Sequence, residues 1–80
     1  MSNCKYVGFS SAEVDRWVVI FPTFLKHSLM ADAICKKFNA TVVSAGFVDE
    51  FGQCYGSSSS LHKSANEGLD TICVSTLLKD

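Results

Sequence analysis

The chain has 80 residues, 48% of them hydrophobic and 11% aromatic, and its seven Lys and Arg against eight Asp and Glu leave a net charge of −1. That composition describes one packed domain over residues 1–80 and excludes a disordered segment, while the near-neutral charge gives no overall field to draw the chain to nucleic acid or anionic lipid. A single core of this size supplies only roughly 3–5 kcal/mol of net stability, which self-association would increase.

The N-terminal MSNCKYVGF lacks the apolar run of a signal peptide, and no window approaches the ~18 apolar residues of a membrane span. The expectation is a cytoplasmic protein without membrane contact. In a reducing compartment Cys4, Cys35, Cys54 and Cys73 are then free thiols. There is no CxxC pair, and Cys54 with His62 has the wrong spacing for a zinc module, so neither metal nor cofactor is expected.

In chain order, Lys5 to Phe9 makes a short first strand interrupted by Gly8. Ser10-Ser11-Ala12-Glu13 has the S-x-x-E pattern of a capping box, and residues 10–15 form either a helical turn or a polar loop. RWVVIF, Arg16 to Phe21, is the strongest strand, apolar on both faces and therefore expected at the centre of the sheet, with Pro22 ending it. Thr23 fits an N-cap, and over 24–38 the residues Phe24, His27, Ala31, Ile34 and Phe38 recur at helical spacing, with Asn39 as a left-handed terminator. The other face of that helix mixes Lys26, Asp32, Lys36 and Lys37 with an apolar pair, Leu25 and Leu29.

Thr41 to Ser60 predicts a β-hairpin closed by Asp49-Glu50-Phe51-Gly52, with Val48 opposite Gln53, Phe47 facing Cys54 and Gly46 facing Tyr55. Val43, Ala45, Phe47 and Cys54 then share an apolar face, and Tyr55 covers Gly46. Ser57 to Ser60 has no bulky side chain and predicts a frayed or edge segment, or a close backbone approach. Ser64-Ala65-Asn66-Glu67 repeats the S-x-x-E pattern before Leu69, Ile72, Cys73 and Leu77, which predicts a C-terminal helix over 65–78 capped by Ser64. The fold class that follows is α+β with order ββαββα: a four-stranded, mainly antiparallel sheet, two helices on one face, and the other face open or closed by a second molecule.

Residues able to carry chemistry have simpler structural readings. His27 lies on the apolar stripe, where a core histidine bonded to backbone is commoner than a general base. Ser57–Ser60, His62 and Asp70 supply the letters of a hydrolase triad without a nucleophile elbow. Cys54 has no partner in sequence to lower its pKa. No glycine-rich phosphate loop is present, and no catalytic residue is assigned. The small basic face of Lys26, Lys36 and Lys37 argues only weakly for nucleic acid, through bases stacked on Trp17 or Tyr55 of an open sheet. What stands out is the hairpin tip, where Phe51 between Glu50 and Gly52 either folds back on the sheet or is presented as an anchor.

The segment Val42 to Thr71, with SAGFV, CYGSSSSL and LDT, resembles short accessory proteins encoded by phages and prophages. That resemblance implies a class that binds and blocks a host protein, components of defence systems such as CRISPR included, and it transfers no site residues. The expected function is thus a non-enzymatic protein-binding module, a phage-type inhibitor of a host protein or complex. Its expected contact residues are Asp49, Glu50 and Phe51, with Leu25, Leu29 and Lys36 as a second patch. The alternatives are a homodimeric structural or regulatory protein and a nucleic-acid-binding domain.

Overall fold

The computed structural model describes residues 3–78. Its elements are β1 (Cys4–Ser10), β2 (Trp17–Phe21), α1 (His27–Phe38), β3 (Thr41–Val48), β4 (Cys54–Tyr55), β5 (Ser57–Ser58), β6 (Lys63–Ser64) and α2 (Glu67–Leu78). Four strands form an antiparallel sheet in the order β2-β1-β3-β4, and β5 and β6 make a separate small hairpin. The α+β class, the four-stranded sheet and the two helices are as the sequence predicts.

The centre of the sheet is β1, not RWVVIF. Cys4 to Ser10 pairs with β3 along its whole length and with β2 from Lys5 to Phe9, and Tyr6 to Phe9 are buried without interruption. β2 is an edge strand. Its apolar character on both faces reflects cover above and below the sheet, which is a separate property from having neighbours on both sides.

That cover also corrects the placement of the helices. Successive strand residues point to opposite faces, and Tyr6 and Val7 both lack any solvent exposure. Tyr6, Val18, Val48 and Cys54 pack with Val74 of α2, whereas Val7, Phe9, Phe21 and Ala45 pack with Ala31 of α1. The helices therefore lie on opposite faces and neither face is left open, so the surface expected to stack bases or seat a second molecule is occupied. β2 and β3 run parallel with β1 between them, so β2-α1-β3 is a split β-α-β unit.

Helix α1 starts later than its periodicity suggests. Pro22 to Leu25 makes a turn closed by Leu25 N donating to Pro22 O at 3.1 Å, and Lys26 is the N-cap residue, without a side-chain cap. Thr23 accordingly caps nothing, Phe24 is 82% exposed, and the buried stripe is His27 and Ala31 flanked by Met30, Ile34 and Cys35. Asn39 ends the helix at φ 52°, the left-handed cap expected of it. Residues 11–14 resolve as a loop, with Ser11 N donating to Val14 O at 2.9 Å and Val14 N to Ser11 Oγ at 3.1 Å.

The main hairpin exists with its register moved by one. Asp49 pairs with Gln53, Val48 with Cys54 and Phe47 with Tyr55. Gly52 at φ 84° is the left-handed residue that closes a three-residue loop, Glu50–Gly52, one residue shorter than the four-residue loop expected. A slip of one flips every side chain: Cys54 joins the α2-side core, and Tyr55 stacks on Phe47 at 5.9 Å instead of covering Gly46. Gly56 at φ 78° then turns the chain into β5, and the serine-rich segment folds as a second hairpin closed at His62, φ 54°.

Ser64 lies in β6, paired with Ser57, so it does not cap α2. Asn66 does: its Oδ1 accepts from Leu69 N at 3.3 Å. The buried face of α2 is Asp70 and Val74 with Cys73 beside them, leaving Leu69, Ile72 and Leu77 exposed.

Candidate protein-contact surface

The first group of interacting polar side chains is internal. Asp70 has no solvent exposure, yet its carboxylate is fully engaged. Oδ2 accepts from the Tyr6 hydroxyl at 2.5 Å and from Asn66 N at 2.9 Å, and Oδ1 forms an ion pair with Arg16 Nη2 at 3.0 Å. The same Arg16 nitrogen donates to Ser44 Oγ at 3.4 Å, while Arg16 Nε is buried without a partner. The cluster fits only because Gly8 carries no side chain: a Cβ there would collide with Ser44 Oγ. Burial, then the hydrogen bond to Asp70, pushes the Tyr6 phenol well above its ordinary pKa. Burial likewise pushes the nearby Cys54 thiol up to about 11, so both groups stay protonated at neutral pH.

Tyr6, Ser44 and Asp70 are sealed from solvent, and only the Arg16 side chain, 23% exposed, reaches the surface. The arrangement is a clasp. It ties the first turn of α2 to β1, β3 and the loop before β2, with a charge that hydrogen bonds have almost entirely satisfied. Sequence reasoning named Asp70 only as a letter of a triad and passed over Tyr6, Arg16 and Ser44. The available signals were the chain's single arginine, set just before its most apolar strand, and an Asp four residues after Asn66.

The triad letters are not assembled. Ser58 Oγ lies 3.2 Å from Ser60 Oγ within the second hairpin, His62 serves its turn, and Asp70 is in the clasp. His27 is a core residue: Nε2 lies 2.8 Å from Gly46 O, and since a carbonyl only accepts, Nε2 carries the proton. Its ring meets Phe21 and Phe47 edge-on, each at 5.6 Å. Among the described residues no three His, Cys, Asp or Glu side chains gather to hold a metal ion, and no helix is long and apolar enough to cross a membrane.

The hairpin tip is built differently. Asp49 Oδ1 accepts from Phe51 N and Gln53 N, each at 2.9 Å. Gly52 N donates to Asp49 O and Asp49 N to Gln53 O, each at 3.0 Å. Asp49 is therefore the strut of the turn, and Glu50 and Phe51 are what the turn presents. Phe51 does not fold back; it is 84% exposed. Beside it a groove of about 480 Å³ runs between the tip and the start of α2, lined by Asp49, Gln53, Cys54, Tyr55, Glu67, Gly68 and Thr71. Its charged side chains, Asp49 and Glu67, are both acidic, and its wall is fixed by Cys54 N donating to Thr71 Oγ1 at 3.0 Å.

The second expected patch is not one surface. Leu25 packs into the α1-side core and its carbonyl accepts from Lys5 Nζ at 2.8 Å, whereas Leu29 is exposed. Lys36 pairs along the helix with Asp32 at 3.3 Å, both side chains largely in solvent, an exposed pair of little energetic weight. Comparison with family models, curated proteins and solved structures finds no match to this chain.

Proposed function

We propose that this chain is a non-enzymatic protein-binding module whose contact surface is the hairpin tip together with the acidic groove beside it. The observation that carries this reading is Phe51, 84% exposed at the apex of a turn held by Asp49. An aromatic presented on a pre-ordered turn loses little conformational entropy on binding, and aromatic side chains in such positions anchor interfaces. Glu50, Asp49 and Glu67 give the surrounding surface one sign, which suits a partner with Lys or Arg around an apolar pocket and steers its approach. A basic groove of a nucleic-acid-handling complex has that chemistry. Filling it would block it, which is how a phage-type inhibitor of a host complex would act.

The test is affinity capture from host lysate with the wild-type chain and a Glu50→Lys/Phe51→Ala variant, which leaves the Asp49 strut intact. A stoichiometric partner retained by wild type and lost from the variant supports the reading. Equal retention by both removes the tip from it.

A further inference from the structure

We infer that the chain also pairs with a second copy of itself through the outer edge of β2, the two strands running antiparallel about a two-fold axis at Val19. β2 ends the sheet, and from Trp17 to Phe21 it carries no charge, no proline and no bulge, the devices that keep edge strands from pairing. The opposite edge, β4, is two residues long and turns away at Gly56. Centred on Val19, the register sets Trp17 against Phe21 of the other copy and Val18 against Ile20, so the whole strand is used twice.

The flanks fit the same axis. Val14 and Phe24, in the segments that flank the two ends of β2, are both exposed, and the two-fold sets one such end of each copy beside the other end of its partner. Exposed Glu13 and Asp15 precede β2, and exposed Lys26 follows it, so each copy sets acid against base at both ends. Arg16 does not disturb this balance, because its charge is turned inward to Asp70. Next to the edge, Trp17, Val18, Ile72, Cys73 and Leu77, together with Arg16 and Thr76, line a largely apolar groove of about 210 Å³ between β2 and α2, with Ile72 64% exposed. Pairing the strands continues that groove across the axis into the α2 of the second copy. The surface lies across the sheet from the acidic groove, so the two interactions stand or fall separately.

Sedimentation equilibrium of the full chain tests the pairing. The expected result is a reversible association from 8.7 kDa to twice that mass. Lys26→Glu should weaken it about tenfold by turning two attractions into repulsions, and Glu13→Lys/Asp15→Lys added to Lys26→Glu should restore it. Lys26 is exposed at the N-cap of α1, where a negative charge suits the helix, so this variant folds. Ile72→Asp, also exposed, should weaken association independently. A monomer at millimolar concentration, or a dimer whose dissociation constant ignores all of these substitutions, would overturn the inference.

Discussion

Asp70→Ala cuts the clasp at its centre. It removes the acceptor for three donors at once, leaving the buried Tyr6 hydroxyl without its acceptor and the Arg16 guanidinium without its counter-charge. Breaking a fully buried ion pair by deleting one partner costs about 3–5 kcal/mol. Here Asp70 is sealed but Arg16 keeps 23% of its side-chain exposure and recovers some hydration, so about 3 kcal/mol is expected. Against the small net stability of a domain this size, that loss leaves a large unfolded fraction at 25 °C. The assay is urea unfolding followed by the single tryptophan, Trp17, which stacks on Phe9 at 5.6 Å and reports the β1–β2 core. The double variant Arg16→Met/Asp70→Leu supplies the control. With both charges replaced by apolar groups it should be more stable than Asp70→Ala alone, because no unpaired charge remains. A loss below about 1 kcal/mol for Asp70→Ala, or a double variant no better than the single one, would refute the clasp as the device that holds α2 on the sheet.

Three further outcomes are expected. Gly8→Ala should lower the urea midpoint by the ~1–3 kcal/mol typical of overpacking, since the added methyl meets Ser44 Oγ between paired strands. Asp49→Ala should cost ~1–2 kcal/mol by freeing two backbone N–H groups of the tip, whereas Phe51→Ala should change stability by less than ~0.5 kcal/mol, a contrast thermal melts resolve. Stability should fall in alkali. Cys54 titrates near 9.0 when exposed but at about 11 in the fold, so between those values the unfolded chain loses a proton that the native chain keeps. The thiol's contribution is therefore complete below pH 9 and lost on passing 11, Tyr6 is shifted in the same direction, and Cys54→Ala should flatten the slope of the urea midpoint between pH 8.5 and 11.

Much of the fold is legible in sequence because it rests on local rules. The helical spacing of His27, Ala31 and Ile34, the Asn39 terminator and the Asp49–Gly52 turn all act within a few residues, and all appear where they are expected. What fails is long-range. WVVIF looks central because both its faces are apolar, but face burial says nothing of strand order, and only pairing reveals that β1 takes the middle. One residue in a turn moves Cys54 from one core to the other, a difference that composition cannot register. Ser64 and Asn66 are both good caps, and the choice falls to Asn66 because Ser64 is drawn into pairing with Ser57. Asp70 is the hardest to foresee: an aspartate in an amphipathic helix suggests solvent, and its three partners lie at least four residues and up to 64 away. The proposed contact surface is more legible, since an aromatic beside acids in a turn is unusual, although Glu67 joins it only through the docking of α2.

Whether the tip and its groove are the surface that meets a partner is read by amide chemical-shift mapping of the isotope-labelled chain with a captured partner protein. The expected result is shifts or broadening confined to Asp49–Tyr55 and the start of α2 around Glu67, with β2 and the exposed face of α1 unchanged. Perturbations centred on Leu29 and Lys36, or on Trp17 to Phe21, with the tip silent, would contradict it.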